Sequence, residues 1–70
     1  MTFSQTYPAL TRWIAEDGLI EIGTNEYSAS LARAYDVNGL VWESRPEHTT
    51  VDEALTAMDR ALQVLFDESE

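Results

Sequence analysis

Asn38-Gly39 sits between two apolar runs, and no other feature does as much to limit how this chain folds. Asn-Gly is the strongest short-range hairpin signal, because a type I′ turn needs positive φ at both central residues. A two-residue loop there sets Val37 opposite Leu40 and Tyr35 opposite Trp42. Side chains alternate along a strand, so Tyr27, Ala29, Leu31, Tyr35, Val37, Leu40 and Trp42 share one face. Ser28, Ser30, Ala32, Ala34, Asp36, Val41 and Glu43 take the other. An aromatic and aliphatic face backed by a small, polar one predicts a sheet covered by helices on the aromatic side.

The strands extend from this hairpin. The alternating stretch from Tyr27 to Val37 is the outgoing strand, and Leu40-Val41-Trp42-Glu43 the return. Leu19-Ile20-Glu21-Ile22 is short and β-branched, and it ends at Gly23-Thr24-Asn25, which is turn chemistry. It predicts a third strand.

Helical spacing brackets the strands. Pro8 suits a first helical turn, where its missing N–H would be unpaired anyway. Tyr7, Leu10, Trp13 and Ile14 then fall on one face, with Thr11, Arg12 and Glu16 away from it. Asp17-Gly18 ends that helix, with the glycine expected in the left-handed conformation. Thr50-Val51-Asp52-Glu53 is a capping box that opens a longer helix. Val51, Leu55, Met58, Leu62, Leu65 and Phe66 form its apolar stripe, widened by Ala54 and Ala61. Asp52, Thr56, Asp59, Arg60 and Gln63 fall mostly on the opposite face. Carboxylates after Phe66 oppose the helix dipole, so residues 67–70 are expected to fray as an acidic tail. The prediction is one α+β domain over residues 1–70: a short helix, a three-stranded antiparallel sheet and a longer helix, both helices on one face.

A chain of 70 residues with no cysteine has no disulfide or thiolate metal site to support it, so its stability rests on an apolar core. The formal net charge is -9, from 13 acidic residues against four basic ones, all arginine. Arg12, Arg33, Arg45 and Arg60 are scattered, whereas phosphate backbones are held by clustered basic residues. The charge argues equally against an anionic membrane surface. Met1 to Tyr7 lacks the layout of a signal peptide, and no apolar run nears the roughly 20 residues that span a bilayer. The expected location is the cytoplasm.

Chemistry is hard to find. His48, the single histidine, lies in a predicted loop with no second histidine or cysteine to share a metal, and reads as a solvated loop residue. There is no Gly-x-Ser-x-Gly elbow, no phosphate-cradling glycine loop and no calcium loop near Asp36 or Asp52. The expectation is no catalytic residue, no metal and no cofactor. Arg33 interrupts the apolar register between Leu31 and Tyr35. Either its stem lies along the sheet while the guanidinium reaches water or a carboxylate, or it stacks on Trp42 or Tyr35 at a binding surface. Trp13 is either core or contact, since tryptophan and arginine are enriched at interface hot spots. Arg33, Trp42 and Trp13 are therefore the candidate interaction residues.

Thr50-Val51-Asp52-Glu53-Ala54-Leu55, continuing through Met58 and Ala61-Leu62, resembles the helix of HicB-like antitoxin domains. In that family three short antiparallel strands precede a helix beginning Thr-x-x-Glu-Ala-Leu. The resemblance covers Leu19 to Phe66 and implies that order of elements. The stretch from Tyr7 to Gly23, with the hairpin and final helix, also looks like a family of small bacterial α+β proteins. The double-stranded RNA-binding domain shares the helix, three strands, helix order, but it holds phosphates with basic residues where this chain has Asp52 and Glu53. Two functions from different classes follow. One is a small acidic, non-enzymatic interaction or regulatory module that binds a protein partner, or itself, through its sheet or an exposed strand edge. The other is an acidic nucleic-acid mimic with carboxylates in rows on one surface.

Overall fold

A computed structural model describes residues 1–24, 26 and 29–69. Its elements run α1 (Phe3–Thr6), α2 (Pro8–Ala15), β1 (Leu19–Ile22), β2 (Ala32–Asp36), β3 (Gly39–Glu43) and α3 (Val51–Ser69). The strands form an antiparallel sheet in the order β1-β2-β3. The fold is α+β, as the sequence predicts, with α1 as an addition. Thr2 and Gln5 build a reciprocal capping box that starts this extra turn: Gln5 N–H donates to Thr2 Oγ1 at 3.3 Å, and Thr2 N–H to Gln5 Oε1 at 2.9 Å.

Two elements differ from expectation at the hairpin. Val37 and Asn38 form the turn, Asp36 pairs with Gly39, and among these residues only Gly39 has positive φ, at 116°. Asp36 Oδ1 accepts the Asn38 N–H at 2.7 Å and stabilises a turn that needs no left-handed asparagine. The loop is thus shifted back by one residue, and Val37 does not pair with Leu40. A register break then follows, with Tyr35 opposite Leu40 and Ala34 opposite Trp42, so that Val41 is bulged out. One extra residue turns the strand over, and this separates Tyr35 from Trp42, which end on opposite faces.

The buried face is therefore the small-residue face. Ala32 and Ala34 are fully buried beneath the helices, with Leu10, Ala54, Leu55, Met58, Leu62 and Phe66. Ile20, Leu31 and Trp42 pack around this cluster, while Tyr35 and Leu40 lie on the far side of the sheet. Alanine wins the central strand because α3 lies directly over it. Small side chains there leave room for Met58 and Leu62, and the bulky residues move to the margin. β2 is also shorter than the predicted strand: Ala29 is exposed outside it, and Tyr27 and Ser28 lie outside the described residues.

Pro8 does occupy the first turn of α2, but its inward face is Ala9 and Leu10, with Tyr7 and Trp13 half-buried and Ile14 exposed. The stop is a Schellman turn in which Gly18 N–H donates to Trp13 O at 2.8 Å. The left-handed residue in it is Asp17, with φ of 71°, and not Gly18. Gly18 is required for a different reason. A Cβ there would collide with Cδ1, Nε1 and the carbonyl oxygen of Trp13.

α3 begins where the cap places it, with Glu53 N–H donating to Thr50 Oγ1 at 3.1 Å. The Glu53 carboxylate accepts from the Thr49 hydroxyl at 3.4 Å, so the reciprocal half of the predicted box is redirected. The inward stripe is narrower than predicted, since Val51 and Leu65 are both exposed. The helix also continues through the acidic residues to Ser69, with Gln63 Nε2 donating to Asp67 Oδ1 at 3.0 Å. A side-chain bond one turn apart offsets part of the dipole penalty that predicted fraying there.

Candidate interaction surface

The face of the sheet turned away from the helices carries two cross-strand rows, and the β1–β2 connection closes over Arg33 in one of them. Register aligns Leu19, Tyr35 and Leu40 in one row and Glu21, Arg33 and Glu43 in the next. Leu19 is 58% exposed and Leu40 53%, with Tyr35 half-buried between them. Directly opposite residues have Cβ atoms about 4.5–5.5 Å apart, so these three are neighbours in an apolar row on that side of the sheet. Beyond β3 the chain turns at Arg45–His48, with His48 N–H donating to Arg45 O at 2.9 Å. Arg33, Tyr35, Leu40, Glu43, Arg45 and His48 line an open concavity.

Arg33 organises the second row and is only 3% exposed. Its Nε donates to Glu21 Oε1 at 2.6 Å, and its Nη1 to Ser30 O at 2.7 Å and to Ser30 Oγ at 2.9 Å. Its Nη2 donates to Gly23 O. Gly23 N–H also donates to Leu31 O at 2.7 Å, which brings the two ends of the β1–β2 connection together. One guanidinium thus holds a carboxylate and both ends of that connection. Of the two sequence readings, the carboxylate contact is the one formed, and Trp42 lies on the other side of the sheet.

The other two candidates are also committed internally. Trp13 donates its indole N–H to Tyr35 O at 3.1 Å and tilts against Phe66, with ring centroids 6.2 Å apart. Arg12 covers the same Phe66 ring at 4.1 Å while pairing with Glu16 at 2.6 Å. Trp42 packs against the core and stacks on His48, centroids 6.2 Å apart and planes 29° from parallel. His48 is half-buried and not simply solvated: its Nδ1 accepts the Arg45 N–H at 3.0 Å. The structure does not bring Arg33, Trp42 and Trp13 together at one surface.

Sequence reasoning passed over the residues that form the strip. The sequence puts Leu40 with Tyr35 on the face expected to be covered and gives Leu19 no face; in the structure all three lie on the side away from the helices. Ser44 was passed over as well. It is buried, and its Oγ accepts the N–H groups of Leu31 at 2.8 Å and Ala32 at 3.2 Å at the start of β2. No residue-level signal marks such a serine in advance.

Among the described residues, no buried side-chain nitrogen or oxygen lacks a hydrogen-bond partner. Among the same residues no group of three or more His, Asp or Glu side chains is placed to hold a metal ion. No described helix is long and apolar enough to cross a membrane. No protein-family profile, curated protein or solved structure matches this chain.

Proposed function

We propose that this chain is a non-enzymatic protein-interaction module, acting in the cytoplasm, whose working surface is the sheet face turned away from the helices. The observation that carries this reading is the Leu19–Tyr35–Leu40 strip, which lies across all three strands with no helix over it. Apolar residues exposed singly are ordinary, but a contiguous row on a regular sheet is a surface that a partner stabilises by covering it. The nucleic-acid mimic is less well supported. It requires rows of outward carboxylates, whereas Asp59, in the middle of α3, is turned inward onto α2.

The test compares capture of binding partners from the native host by the parent, Leu40→Asp and Val64→Asp. Both leucine and valine are 53% exposed, one on the sheet face and the other on α3. The expected result is a protein captured by the parent and Val64→Asp and lost with Leu40→Asp. A partner retained equally by all three would remove the sheet face from consideration.

A further inference from the structure

The sheet ends in two different edges. β3 is broken by the bulge at Val41, and the stacked pair of Trp42 and His48 lies beside it. Bulges of this kind are a common means of preventing an edge from pairing. β1 has no such break. Its register with β2 is regular across all four residues, from Leu19 opposite Tyr35 to Ile22 opposite Ala32. Backbone groups of an antiparallel ladder alternate between the two sides of a strand. The bond from Gly23 N–H to Leu31 O sets the phase, so Glu21 and Leu19 bond to β2 while Ile20 and Ile22 present their N–H and C=O groups outward.

The side chains of β1 point to the same edge. Leu19, 58% exposed, lies on the open face, and Ile22, 53% exposed, lies on the helix side. An element packed onto one face covers one of these residues and leaves the other. A strand paired beside β1 covers both.

Charge defines what that strand carries. The second row reads carboxylate, guanidinium, carboxylate across the sheet, and Arg33 engages Glu21 through Oε1 alone. The Glu21 side chain remains 42% exposed at the free edge. A cation beside Glu21 would continue the alternation of charge along this row. Resting on the interaction-module reading above, we infer that β1 accepts an extended partner strand with Lys or Arg opposite Glu21 and apolar residues opposite Leu19, Ile20 and Ile22. This is strand addition, with backbone bonds supplying affinity and the cation supplying register. A second copy of this chain does not meet the requirement. Two β1 strands paired antiparallel about a two-fold axis place Glu21 against Leu19, another Glu21 or Gly23, none of them a cation, and each copy carries a net charge of -9.

The probe is the end-capped peptide Ser-Thr-Val-Lys-Val-Val-Thr-Ser, beside versions with Ser or Glu replacing Lys and one with an N-methylated valine backbone. Each is titrated into the isotope-labelled full chain at low salt, with amide shifts followed by NMR. The Lys peptide is expected to perturb Ile20 and Ile22 first, and to bind about fivefold more tightly than the Glu peptide, as one or two exposed ion pairs allow. The preference should shrink as salt screens it, and N-methylation should abolish binding. Equal binding of the Lys and Glu peptides would overturn the cation and leave the strand edge. Shifts centred on β3 or α3, or no binding by any peptide, would overturn docking at β1. Either outcome leaves the sheet-face reading to be judged by Leu40→Asp.

Discussion

Asp59 caps a helix that lies 50 residues away in sequence: its Oδ1 accepts the backbone N–H of Ala9 at 2.9 Å and of Leu10 at 3.1 Å. Tyr7, the local N-cap of α2, supplies no side-chain acceptor, and Pro8 has no N–H to satisfy. A carboxylate from α3 therefore does the work of a cap and adds negative charge at the positive end of the helix dipole. The same contact fixes α2 against α3, which is how so short a helix holds its place.

Asp59→Ala is expected to destabilise the protein by about 1–2 kcal/mol, the usual range for losing a cap. Asp59→Asn keeps an oxygen acceptor and should lose only the charge–dipole part, about 0.3–1 kcal/mol. Urea unfolding followed by tryptophan fluorescence measures both. An alanine variant as stable as the parent would show that the capping contact contributes nothing.

At the end of α2 the sequence places glycine one residue from where the backbone calls for it. Gly18→Ala is expected to cost about 2–3 kcal/mol, the upper part of the overpacking range, because one of the colliding atoms is backbone. Asp17→Gly relieves a left-handed aspartate and should stabilise by about 0.5 kcal/mol. Thermal unfolding of the two variants checks this opposition of signs. A stabilising Gly18→Ala would contradict the packing of Trp13 over that position.

The helices and the order of strands were legible in the sequence because each carries a local signature: Pro8 at a first turn, Thr50 at a cap, β-branched residues at 19–22. The open face was not. Asn38-Gly39 signals a hairpin but does not state whether the asparagine or only the glycine goes left-handed, and that choice moves the register by one residue. The Val41 bulge then separates Tyr35 from Trp42, so hydrophobic alternation placed Trp42 correctly against the core and Tyr35 on the wrong side. Asp59 and Ser44 were invisible for another reason. Each satisfies backbone donors that are distant in sequence, and periodicity holds no information about them.

Ser44→Ala removes the acceptor of two backbone N–H groups at the entrance to β2. Leaving buried donors unpaired costs about 1–3 kcal/mol. The loss should be accompanied by faster hydrogen exchange at Leu31 and Ala32 than elsewhere in the sheet. Uniform acceleration across all amides would indicate global destabilisation with no special role for the serine.

Arg33 is where stability and the interaction surface meet. Arg33→Met keeps the length of the stem but removes the charge and every donor, so the carbonyls of Gly23 and Ser30 and the Glu21 carboxylate each lose a bond. Breaking a buried ion pair from one side costs about 3–5 kcal/mol, and the partial exposure of Glu21 sets the expectation near the lower figure, about 3 kcal/mol. Adding Glu21→Leu removes the stranded carboxylate and should recover part of the loss. It cannot recover all of it, because the bonds from Arg33 to the Gly23 and Ser30 carbonyls stay lost. A double-mutant cycle by urea unfolding therefore gives a favourable coupling between positions 21 and 33, with a residual deficit in the double variant. Full recovery would mean that Arg33 serves Glu21 alone and does not hold the β1–β2 connection. An Arg33→Met variant within about 0.5 kcal/mol of the parent, the scatter of ordinary surface changes, would refute its structural role altogether.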